Sequence, residues 1–140
     1  MWTDNHALVD RYFDELINGR RFQSAGEIIA PNFTFYSPSQ PQGRTIVGLA
    51  EFINELRAAF SDKHFEEIER IVTEACVVSR FRMTGTHDGS FHGFPPTGKP
   101  TEVEGCDLIY IQDGRIVAVR AYFDYLTLLK QVGALPQTVG

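Results

Sequence analysis

Six polar residues stand singly in strand-like segments of this 140-residue chain: His87, Asp107, Tyr110, Arg120, Tyr122 and Asp124. Carboxylates, an imidazole, phenols and a guanidinium on strands could share general acid–base work and donate hydrogen bonds to a developing oxyanion. Strand parity alone sends Arg120 and Asp124 to water. The alternate face of their strand, Val117, Val119, Ala121 and Phe123, is wholly apolar and reads as core. His87 shares a face with Phe81 and Met83, where a buried structural histidine explains it as well as a catalytic one.

Other chemistry can be set aside by spacing. Gly93-Phe94-Pro95-Pro96-Thr97-Gly98-Lys99 has most of the phosphate-loop pattern, but Pro95 and Pro96 carry no N–H to cradle a phosphate. Pro100 then stands where a hydroxyl for magnesium is needed, so the run reads as a rigid loop. His6, His64, His87 and His92 lack the helical spacing of metal ligands, and His87, Asp88 and His92 read as a surface turn. No nucleophile elbow occurs, and Cys76 and Cys106 read as reduced, inert core residues. No metal and no bound nucleotide is expected.

Thirteen Lys and Arg against eighteen Asp and Glu give a net charge of −5, which disfavours nucleic acid and polybasic membrane contacts. No apolar run reaches transmembrane length. Met1 to His6 has neither a basic start nor an apolar stretch, so a cytoplasmic protein without a signal peptide is expected. The length suits one domain over 1–140.

The elements that must position these residues fall into two halves. Leu8, Val9, Tyr12, Phe13, Leu16 and Ile17 recur at helical spacing after the capping candidates Thr3 and Asp4, and Gly19 closes that helix. A short second helix through Phe22, Ala25, Ile28 and Ile29 ends at Pro31, and Phe33 to Tyr36 reads as a strand. Ser37 to Gly43 reads as a loop, and Leu49, Phe52, Ile53, Leu56, Ala59 and Phe60 mark a third helix. The rest is β-rich. His64–Glu74 and Cys76–His87 form one strand pair; Thr101–Gln112 and Arg115–Asp124 form a hairpin on Asp113-Gly114, and Tyr125 to Val132 closes the chain as a helix. Helices first and antiparallel strands afterwards predict an α+β fold, with a curved, mostly antiparallel sheet around the helices. Several strands are apolar on both faces, which asks for helices on one and a second subunit on the other.

The run Gly85-Thr86-His87-Asp88-Gly89-Ser90-Phe91-His92-Gly93-Phe94-Pro95-Pro96-Thr97-Gly98-Lys99 resembles a stretch of the SnoaL-like polyketide cyclases, in the nuclear-transport-factor-2-like superfamily. The likeness continues through Asp113-Gly114-Arg115-Ile116-Val117, Tyr122-Phe123-Asp124 and Leu128 to Gly133. The resemblance implies a cone-shaped α+β barrel with an apolar pocket, dimers through the outer sheet face, and ring closure by an intramolecular aldol reaction without a cofactor. It implies an acid/base Asp at Asp124 with Arg120 beside it, and so turns Arg120, Tyr122 and Asp124 towards the pocket. Val103, Ile109, Ile111, Val117, Val119 and Phe123 would then face a partner subunit. The chain departs from the anthracycline-type pattern at Tyr110, where those enzymes carry His, and at Leu16 and Phe52, where they carry polar residues.

The resulting expectation is a cofactor-independent enzyme acting on a small, apolar, carbonyl-bearing molecule. Asp124 takes a proton α to a carbonyl, and Tyr110, His87 or Arg120 steadies the enolate oxygen. Tyr36, Phe52, Leu56, Phe81 and Tyr122 supply the walls. Two alternatives stand beside it. Water chemistry of the epoxide hydrolase or dehydratase type needs Asp107 to point inward, against the parity that places Tyr110 inside. A non-catalytic ligand-binding or dimerisation module fits the loss of polar helix positions.

Overall fold

The structure, a computed structural model, describes residues 2–19 and 21–135. Met1 and residues 136–140, the ends of the expected domain, lie outside the described residues. Helix α1 (Trp2–Arg11) already contains Thr3 and Asp4, and runs directly into a π-helical segment, Tyr12–Ile17. The wide turn is closed by the Asn18 N–H donating to the Phe13 carbonyl at 2.8 Å. Widening the turn keeps Tyr12, Phe13, Leu16 and Ile17 on one face, and all four are buried.

The expected second helix is shorter than its pattern. Helix α2 is Ala25–Ile28, and Ile29 is already extended, so Pro31 lies inside strand β1 (Ile29–Ser37) rather than ending a helix. The missing N–H is accommodated where the β1 register shifts, between Ile29 and Thr34. The stretch read as a loop holds a further strand, β2 (Gln40–Arg44), which folds back on β1. Pro41 is tolerated there because β2 is an edge strand. The remaining elements follow the expected order: α3 (Ile46–Ala59), β3 (His64–Val72), β4 (Cys76–Thr86), β5 (Pro100–Gln112), β6 (Arg115–Phe123) and α4 (Tyr125–Gln131). Asp113 and Gly114 take φ 52 and 75, the left-handed pair that a tight hairpin requires.

Among the described residues the strands form one sheet in the order β2-β1-β6-β5-β4-β3, antiparallel except for β1 beside β6. The expected cone is open: β2 and β3 are edges and do not pair with each other. The fold is mixed α+β, with α1, the π segment and α3 on the inner sheet face. Leu49, Ile53, Val77, Ile109 and Val119 meet there, and Leu56, Phe60, Met83, Val103 and Leu128 form a second cluster under α4. Each such Leu or Ile contributes roughly 1.5–3 kcal/mol by leaving water. No described helix is long and apolar enough to cross a membrane.

The register decides which face each strand residue occupies. Asp107 pairs with Ala121 and Ile109 with Val119, while Leu108 pairs with Arg120 and Tyr110 with Ala118. Val103, Ile109, Ile111 and Val119 are buried inside, and Phe123 packs against the inner cluster under α4. They cannot face a partner subunit as expected. A shift in the β5–β6 register between Tyr110 and Ile111 lets Ile116 join Val119 in the core and leaves Val117 half-buried. Gly105 is forced by the same geometry. A Cβ there would lie 2.5 Å from Phe81 Cζ and 2.6 Å from Phe123 Cβ, two rings that line the inner cavity.

Candidate active site

Strand parity puts one carboxylate inside. Asp107 is 7% exposed, and it sits on the inner face of β5 beside Ser79 of β4 and Ala121 of β6. It lines a narrow cavity of about 30 Å³ with Tyr12, Phe35, Phe52, Leu56, Phe65, Phe81 and Phe123. Burial pushes its carboxyl up to about 7, and the Glu67 carboxylate on β3 adds to the rise. Glu67 is itself held by Arg70 at 2.7 and 2.9 Å and by the Ser79 hydroxyl. Among the described residues, no hydrogen bond reaches the Asp107 carboxyl to stabilise its charge. A carboxyl that titrates near neutrality in an apolar chamber can both take and return a proton.

Tyr12, at the head of the π segment, faces the same cavity. It is fully buried, and its hydroxyl has no hydrogen-bond partner. Burial, and then the Asp107 charge, raise the phenol well above its ordinary range, so it stays protonated.

Outside this chamber lie two larger spaces. One, of about 410 Å³, is lined by Ser37, Pro38, Phe52, Phe123 and Tyr125. The other, of about 440 Å³, is lined by Arg44, Phe52, Glu55, His92 and Tyr125. The half-buried Phe52 ring borders all three spaces, 5.5 Å from the ring of Phe35.

Of the expected wall residues, Phe52, Leu56 and Phe81 line the chamber. Tyr36 and Tyr122 do not. Tyr122 is 46% exposed on the outer face, and Tyr36 carries the Arg120 guanidinium 4.3 Å above its ring. The expected inward turn of Arg120, Tyr122 and Asp124 is therefore overturned, because residues at that parity face away from the helices. Asp124 instead caps α4. One oxygen accepts the Thr127 N–H at 3.0 Å and the other the Thr127 hydroxyl at 2.6 Å. Those bonds, the hydroxyl's first, hold its carboxyl below the usual range. Tyr110 faces outward, paired with Cys76 and Ala118, so the parity that put it inside and Asp107 outside is reversed.

His87 is fully buried but away from the chamber, 5.6 Å from the Phe60 ring. Its Nδ1 accepts the Thr97 N–H at 3.3 Å and lies 2.9 Å from the Thr97 hydroxyl. Its backbone N–H donates to the Lys99 carbonyl, and its own carbonyl accepts from Gly98. Through Nδ1 it pins the proline-rich loop, its Nε2 is buried without a hydrogen-bond partner, and it lines none of the three spaces described above. In the chain alone, parity favours Tyr110 over Asp107 as the inward residue, and Tyr12 is one of six apolar or aromatic positions on a helix stripe. The available signal was the company of Asp107: it shares its face with Val103, Ile109 and Ile111, opposite the apolar face of β6.

A family model described as SnoaL-like polyketide cyclase matches residues 7–132. The chain is 35% identical over 94 residues to the aklanonic acid methyl ester cyclase DnrD of Streptomyces peucetius, and 34% identical over 94 residues to the similarly named DauD of Streptomyces sp. strain C5. Each match covers 66% of this chain, and 65% and 58% of the two relatives respectively. Among solved structures, a SnoaL-like protein from Jannaschia sp. CCS1 superposes with a TM-score of 0.83 at 28% identity, covering 96% of this chain and 94% of that one. IdmH from Streptomyces antibioticus superposes with a TM-score of 0.77 at 27% identity, covering 91% and 97%. AclR from Streptomyces galilaeus, at 21% identity and a TM-score of 0.84 over 97% and 100%, shares the fold.

Proposed function

The chain belongs to the SnoaL-like polyketide cyclase family, and we propose that it closes a ring in a small polyketide ester by an intramolecular aldol reaction, with Asp107 as acid and base. The observation that carries this reading is Asp107 itself, a carboxyl buried among aromatic side chains and titrating near 7. The ionised carboxylate takes a proton α to a carbonyl. The enolate carbon attacks a second carbonyl of the same molecule, forming one C–C bond. The alkoxide left on that carbonyl takes the proton back from Asp107, so the product is an isomer of the substrate and no cofactor is needed.

The inner chamber has room for the reacting end of a molecule and not for its body. The body fits the outer spaces, whose volumes suit a small ligand, and its reacting carbon passes Phe52. The substrate of the relatives, aklanonic acid methyl ester, is the test compound. Incubation should convert it to a product of equal mass. Asp124→Asn should turn it over at the wild-type rate per folded molecule, since Asp124 caps a helix. Unchanged substrate would sink the reading for this compound, and loss of turnover in folded Asp124→Asn would return the base to Asp124.

A non-catalytic ligand-binding module is the second reading, favoured by the small inner volume and its aromatic lining. It predicts binding of the ester with no isomer formed. Under either reading we propose a homodimer through the outer sheet face, carried by Val78, Leu108, Tyr110 and Tyr122. The first three are half-buried and Tyr122 is exposed. Ion pairs of Arg80 with Glu69 and Glu104 flank the apolar residues. Light scattering at micromolar concentration should give twice the chain mass, and a monomer would refute the dimer.

A further inference from the structure

Tyr12 is a poor choice for a purely structural position. Its ring packs edge-on against Phe13, with centroids 5.3 Å apart, and Phe could make the same contact. Its hydroxyl is buried and unpartnered, the residue lines the chamber that holds Asp107, and the Asp107 charge acts on the phenol. A buried hydroxyl without a partner is a cost that folding alone does not repay. It heads a π-helical segment, a local widening found often where function has shaped a helix.

We propose that Tyr12 is the hydrogen-bond donor to the substrate's carbonyl oxygen, stabilising the enolate that forms when Asp107 takes the α proton. The proposal rests on the Asp107 reading above and adds the other half of the site. The phenol supplies one O–H to an oxygen that gains negative charge, and the ligand class is a carbonyl compound with an acidic α C–H. The donor is pre-placed in an apolar chamber, where a hydrogen bond to a developing oxyanion is worth most. The phenol stays neutral through the cycle, and the proton shuttles between carbon, Asp107 and the product alkoxide.

The test is Tyr12→Phe, read in two ways. With aklanonic acid methyl ester, kcat should fall about 10²–10³-fold, with KM changed far less and the unfolding midpoint unchanged or raised. Independently of turnover, 2-naphthol, whose phenolic oxygen stands in for the enolate oxygen, should bind the wild type at pH 6 about tenfold more tightly than Tyr12→Phe. If the wild type does not turn the ester over, the Asp107 reading fails for that compound and the naphthol affinities decide the donor assignment. Turnover by Tyr12→Phe within threefold of an active wild type overturns the assignment while leaving Asp107 in place. Equal naphthol affinity in both proteins, or no binding to the wild type, also overturns it.

Discussion

Asp107→Asn is expected to abolish most turnover while leaving the chain folded. The amide is nearly isosteric with the carboxyl but cannot take the α proton, and losing a general base costs about 10²–10⁴-fold in rate. The wild-type pH profile should carry the same signature. Only ionised Asp107 is a base, and its carboxyl titrates at about 7, so kcat/KM should rise with pH to a plateau above that value. Two titratable groups face this carboxyl: Tyr12 from the π segment, neutral throughout, and Glu67 from β3, whose charge contributes to the rise. The ascending limb should be missing from the residual activity of Asp107→Asn. Wild-type turnover in that variant, or a profile flat from pH 5 to 8, would remove Asp107 from the mechanism.

The same substitution should stabilise the protein, and only at higher pH. A buried carboxyl whose folded-state value stands above its unfolded value binds its proton more tightly when folded. Below pH 4 both states are protonated and there is no penalty. Between about 4 and 7 the unfolded chain gives up the proton first, so stability falls as pH rises, and above about 7 the loss is complete. The rise from 3.8 to about 7 corresponds to roughly 4 kcal/mol at about 1.4 kcal/mol per unit. Asn never ionises and escapes this loss. Denaturant titrations should therefore find Asp107→Asn the more stable protein at pH 8, by up to that amount, and the two nearly equal at pH 4. A difference independent of pH would mean that the carboxyl is not buried in this way. Gain of stability with loss of turnover is the pairing expected where a charged group is kept in an apolar site for its chemistry.

Much of the architecture is local and therefore legible in the chain. Asp113-Gly114 specifies a tight hairpin because both residues reach positive φ cheaply, and the turn is found there. The apolar stripe from Leu49 to Phe60 specifies α3, and Gly133, at φ 81, stops α4 one residue beyond Val132. The proline-rich loop lacks phosphate donors by covalent structure alone. Local signals failed where a non-local partner supplied the stabilisation. Strand β2 exists because β1 offers it an edge, and the π segment because widening one turn aligns four buried side chains.

The site belongs mostly to the second kind. Alternation along β6 and into Asp124 sends Val119, Ala121 and Phe123 inside and Arg120 and Asp124 to water, as the structure has them, whereas the family likeness turns the second set inward. In β5 both faces carry large side chains, Leu108 and Tyr110 on one and Ile109 and Ile111 on the other. Periodicity there states which residues travel together but not which set is buried. The helices decide. Packed on one side of the sheet, they enclose Asp107, and with it they bring Tyr12 from 95 positions away in the chain into the same chamber. Chain order alone puts a carboxylate on one strand face with Ile109 and Ile111. That this face lies under the helices is a result of packing, and desolvation, with the shifted proton affinity that follows from it, is a property of surroundings rather than of spacing.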